Sequence, residues 1–173
     1  AGAADQRRGQ RLTMPARSLD DLAIAGLLQA KPPDRRRVNR WLARSRKDLD
    51  LAANLLADVD RDRAMAVAYE AGYRACAGIL DLAGFRVTSQ PGHHHAAIDG
   101  ATLILGEERR PLLRRLDRAR RFRNDGLYGD VATAGAREFE QLIKDVAWLL
   151  DELESRLNPP PARRQGHDGL ARY

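Results

Sequence analysis

Arg123-Asn124-Asp125-Gly126-Leu127-Tyr128 closes an arginine-dense segment, and Arg123 is the residue best placed to do chemistry. Leu112, Leu116, Ala119 and Arg123 are spaced four, three and four apart, so on a helix they share one face. That face should be buried. A guanidinium closing an apolar stripe is costly to desolvate unless an anion meets it. The anion is either an external phosphate or an internal carboxylate such as Asp125 or Asp130. Eight arginines fall between Arg109 and Arg123, with Glu107, Glu108 and Asp117 as nearby acids. Arg110, Arg114, Arg118 and Arg121 form a second stripe. It is either an RNA-binding phosphate ridge or a solvated face neutralised by those acids. Only Phe122 is interleaved with the arginines, so base stacking along this helix is poorly supported.

His93-His94-His95 is internal and falls at an expected helix start. Successive helical residues point about 100° apart, so three adjacent histidines do not converge on one metal. No other Cys or His cluster completes a site, and neither a metal nor a cofactor is expected. Local hydrogen bonds suit these rings better. An imidazole with an ordinary pKa near 6.5 can also move protons, and His94 is a candidate base. No phosphate-cradling glycine loop, nucleophile elbow or carboxylate pair is found. Cys76 is alone in an Ala-rich apolar stretch and reads as a small buried hydrophobe. A lone cysteine suits a reducing, cytoplasmic setting.

The elements that must hold these residues are helical. The chain has 173 residues, a net charge of +6 and 31 % charged residues, and it is rich in Leu and Ala. Few residues are β-branched, and no window alternates cleanly. Most basic residues are Arg, which permits contact with nucleic acid or anionic surfaces without requiring it. No apolar run is long enough to span a membrane, and the N-terminus lacks a signal-peptide core. Residues 1–17 are expected to be a disordered or cloning-derived leader, with Met14 a possible natural start, 18–158 a helical bundle and 159–173 a disordered Pro/Arg tail. Ser18 caps a short helix over Leu19–Gln29, ended by Lys31-Pro32-Pro33. Asp34 caps a long helix with the stripe Val38, Trp41, Leu42, Ser45, Leu49, Ala52 and Leu56. Asp60 caps the next, through Ala64, Ala68, Ala71, Ala75, Ile79 and Leu82, where small residues allow close approach. Phe85–Gly92 is expected to be a loop. Further helices run from His93 to Leu105, from Glu108 to Asn124, and from Thr133 to Leu157. The expected fold is all-α: an antiparallel up-and-down bundle of four main helices plus a short N-terminal one.

The middle segment AYEAGYRACAGILDLAGFRVTSQPGHHHAAID and RRFRNDGLYGD before the last helix, with this order of helices, resemble a small prokaryotic HEPN-domain protein over roughly residues 37–157. The resemblance implies a dimeric helical bundle of the toxin–antitoxin or defence type. Many such proteins are metal-independent endoribonucleases, often paired with a nucleotidyltransferase-type antitoxin. It also implies a signature of Arg, commonly a polar residue such as Asn, and a His four to six positions after the Arg. Arg123 and Asn124 match its first half. Tyr128 stands where the His is expected. In the family reaction a 2′-hydroxyl attacks its own phosphate, Arg stabilises the phosphorane and His moves the proton. With a reference pKa near 10, only about one tyrosine in a thousand is a phenolate at neutral pH. Tyr128 is therefore better suited to donate a proton or orient a phosphate than to act as base. The expected catalytic set is Arg123, Asn124, Tyr128 and His94. The alternative is an inactive HEPN adaptor that binds a nucleotidyltransferase or antitoxin. A DNA-binding module ranks last, because no helix-turn-helix signature is present.

Overall fold

The computed structural model describes residues 18–125 and 135–159. The leader, the segment 126–134 that holds Tyr128, and the tail from 160 lie outside the described residues. Helix α1 (Leu19–Ile24) opens on a capping box in which Ser18 and Asp21 satisfy each other's backbone N–H groups. Asp34 accepts the Arg37 amide at 2.9 Å and starts α2 (Arg35–Leu51), which runs on as a wider π-helical turn over Ala52–Leu56. Asp60 accepts the Arg63 amide at 2.9 Å and starts α3 (Arg61–Leu82). Then come α4 (His93–Leu105), a 3₁₀ turn (Glu107–Arg109), α5 (Arg110–Asp125) and α6 (Ala136–Leu157).

Three expectations are corrected. The first helix stops at Ile24, short of Gln29, because Gly26 turns the backbone left-handed at φ 76°. The freed chain forms strand β1 (Leu28–Ala30), antiparallel to β2 (Phe85–Val87) inside the expected loop, with Gln29 opposite Arg86. Strands of three residues are too short to show alternation, and contacts from elsewhere in the fold hold them. The Lys31 amide donates to the Gly84 carbonyl at 2.8 Å, and the Thr88 amide donates to the Leu27 carbonyl at 3.0 Å. The third correction concerns the bundle. The described residues hold five helices of thirteen residues or more, which match the five long segments expected one by one rather than a bundle of four, and they do not simply alternate in direction.

Helix α3 is the axis, packed against α2, α4, α5 and α6. Tyr69 meets His94 while Leu80 meets Gly100, so α3 and α4 run the same way. The link of residues 83–92, with β2 in it, carries the chain back along α3. Helix α5 runs against α6, with Arg115 bound to Asp145 and Arg109 stacked over Trp148. Close approach is built into α3. A Cβ on Gly72 would fall 2.7 Å from Leu116 and 3.0 Å from Val146. Tyr69, Leu80, Leu116, Leu149, Leu150 and Leu153 fill the core beside Ala68, Ala71 and Ala75. Cys76 is buried there, and burial pushes its thiol up to about 12. No described helix is long and apolar enough to cross a membrane.

Candidate functional site on α5 and the α4 histidines

Helix α5 forms because its apolar and basic residues separate cleanly onto two faces. Leu112, Leu113, Leu116 and Ala119 are buried against α3 and its neighbours. The expected burial of the stripe that leads to Arg123 is therefore present. Arg123 and Asn124 occupy the last turn of α5, and Arg121 lies on the same turn. The side chains of 121–125 are outside the description, as is Tyr128.

The basic face is mixed. Arg110 is bound by Glu107, the local partner expected from the spacing. Arg115 forms a two-pronged pair with buried Asp145, at 2.6 and 2.9 Å, and Gln141 supports the same carboxylate at 2.9 Å. Arg120 donates to Asp117 at 2.9 Å. Arg114 and Arg118 are exposed and have no ion pair among the described residues. Arg118, Arg115 and Arg137 border a hollow of about 220 Å³ floored by Met65, Ala119 and Leu142.

The histidine run divides as helical geometry requires. Backbone Gln90 lies 3.0 Å from His93 Nδ1. His94 turns inward: its Nδ1 is 2.7 Å from the hydroxyl of fully buried Tyr69, and its ring stacks on Tyr73 at 4.3 Å. Burial raises the Tyr69 phenol far above its ordinary value. Tyr69 therefore stays protonated, and its hydroxyl shares with His94 Nδ1 a hydrogen bond whose direction follows the His94 tautomer.

His95 turns toward α5. Its ring lies 3.5 Å from Asp117 and 3.4 Å from Asp99. Asp117 raises the His95 pKa, and His95 with Arg120 holds Asp117 well below the usual carboxylate range. Asp99 goes the other way, raised by burial that His95 only partly offsets. The α4 start is thus tied to α5 by the His95–Asp117 contact, six residues before Arg123.

Of the residues singled out in the sequence, Arg114 and Arg118 are exposed, Arg110 is paired with Glu107 and His94 meets Tyr69; Tyr69, Tyr73 and the His95–Asp117 contact were not singled out. Tyr69 and Tyr73 are four apart on α3, a spacing that is visible in the sequence. Their histidine partners lie some twenty-five residues away, and no spacing reveals that. Among the described residues no cluster of His, Cys, Asp and Glu is placed to hold a metal ion. Compared with known proteins, the chain matches no family model, no curated protein and no solved structure.

Proposed function

We propose that the chain is a HEPN-type RNA-interacting protein, the toxin-like component of a toxin–antitoxin or defence module, which cleaves RNA as a homodimer without a metal ion. One observation carries the reading: α5 is locked into the core by its apolar face, leaves Arg114 and Arg118 exposed without ion pairs among the described residues, and carries Arg123-Asn124 in its last turn. Such a helix is a rigid support for phosphate contacts. Arg110 and Arg121 extend the same stripe.

In this reading the ribose 2′-oxygen attacks the adjacent phosphorus as its proton passes to water. Arg123 offsets the charge on the phosphorane oxygens, and Asn124 orients one of them. Tyr128 donates a proton to the departing 5′-oxygen. His94, with Nδ1 engaged by Tyr69, is assigned in this reading to donate from Nε2 to a phosphate oxygen. Without a strong base, turnover is expected to be slow. Two such sites face each other across the dimer.

A second reading is favoured by the internal pairing of Arg110, Arg115 and Arg120. It makes the chain an inactive HEPN adaptor that binds a nucleotidyltransferase or another antitoxin partner. Expression in a bacterial host separates the two. Growth arrest that Arg123→Ala and Tyr128→Phe relieve, with both variants still folded, supports the nuclease. No arrest with the unaltered chain supports the adaptor.

A further inference from the structure

A second site lies on the other side of α3, in a cleft of about 440 Å³ between α2, α3 and β2. Its chemistry differs from that of α5. Trp41 from α2 and Tyr73 from α3 supply aromatic rings, and Arg37, Arg74 and Arg86 supply cations. Apart from Tyr73, which also stacks on His94, it shares no residue with the α5 site.

The acids of the cleft leave one arginine with an ion pair but no hydrogen bond. Asp81 is 2 % exposed and already accepts the Asp34 amide at 2.7 Å and a guanidinium N–H of Arg37. Arg86 comes no closer to Asp81 than 3.7 Å, through Nε, which is beyond hydrogen-bond reach. Among the described residues the buried Nε atoms of Arg86 and Arg37 have no hydrogen-bond partner. Arg74 is bound to Asp48 at 2.7 Å. Glu70 lines the cleft as the remaining opposing charge. Two arginines thus crowd one carboxylate, and burial, followed by the neighbouring Arg86, lowers the Arg37 pKa. The two-stranded sheet holds Arg86 in this position, opposite Gln29 on β1. A planar guanidinium with an unserved donor at the wall of a cleft is a fork for a carboxylate or a phosphate. Trp41, with Arg37 stacked 5.2 Å from its ring centre, and Tyr73 offer flat apolar surface beside that fork.

We infer that this cleft binds a small planar aromatic acid, with its ring against Trp41 and Tyr73 and its carboxylate or phosphate on the Arg86 fork. The volume lies within the range of small-molecule sites and admits one ligand of one or two fused rings.

Calorimetric titration of the full chain tests this. The probes are indole-3-acetate for the carboxylate form and adenosine monophosphate for the phosphate form, with tryptophol and inorganic phosphate as controls lacking the charge or the ring. One aromatic acid is expected to bind one-to-one, at least tenfold tighter than either control. Which one binds identifies the anion. Arg86→Gln and Trp41→Leu are each expected to weaken it at least tenfold, whereas Arg156→Gln on α6 leaves it unchanged. Magnetic-resonance shifts at the Trp41 indole and the Arg86 amide of the unaltered chain give a readout independent of variant folding. Absence of binding by both acids, equal binding by inorganic phosphate or tryptophol, shifts confined to other residues, or unchanged affinity in a folded Arg86→Gln would overturn the proposal.

Discussion

His95 stands between Asp117 at 3.5 Å and Asp99 at 3.4 Å, with Arg120 acting against it from the same helix as Asp117. Its folded pKa is raised, chiefly by Asp117. Stability from a raised histidine is fully present below the unfolded value near 6.5, and it is lost as pH climbs through the folded value. Asp117 is held low, so its contribution is present above about pH 4 and fades only in strong acid. In the window that opens near pH 6.5 and extends up through its raised folded value, His95 is therefore the member of the pair that titrates. The melting temperature is expected to fall over that window, and His95→Gln should flatten the fall. The effect should be small, because the ring is 59 % exposed and solvent screens it. An identical pH slope in His95→Gln would show that the drop comes from elsewhere. At this scale the sequence was partly legible. Adjacent histidines had to point apart, and Glu107 and Asp117 were visible as partners for the arginines. The bond from Tyr69 to His94 joins residues on separate helices, so only packing could reveal it.

The elements repeat this pattern. Ser18, Asp34 and Asp60 were readable as helix starts because a cap is a local event, completed within three residues. The α3 small-residue face was readable because every position on it follows helical spacing. The β1–β2 pair was not, because each strand is three residues long and takes its partner from the far end of α3. That pair and the α2–α3 corner meet at Asp81, one buried carboxylate serving the Asp34 amide and Arg37, with Arg86 beside it. Asp81→Asn keeps the shape and removes the charge. Breaking a buried pair costs about 3–5 kcal/mol, and partial exposure of Arg37 brings the expected loss to about 2–3 kcal/mol. Urea unfolding followed by helical circular dichroism measures it. A loss under about 0.5 kcal/mol would mean that Asp81 does not hold the corner.

For the whole molecule, composition and periodicity were enough to indicate a helical bundle, because separating apolar from charged faces is what makes helices pack. They did not give the parallel course of α3 and α4 or the central place of α3, since a link of ten residues permits either direction. With α3 packed against four other helices, much of the exposed surface falls to those helices. The +6 net charge is then expressed partly on α5, whose far end carries Arg123 and Asn124. The most direct test of the proposed role is cleavage of a mixed RNA pool by the purified chain in excess chelator, compared with Arg123→Ala of matched melting behaviour. The expected result is slow cleavage that leaves 2′,3′-cyclic phosphate ends, persists without metal, and falls by about a hundredfold or more when the guanidinium is removed. Cleavage that vanishes with chelator, or that Arg123→Ala carries out as fast as the unaltered chain, would contradict it.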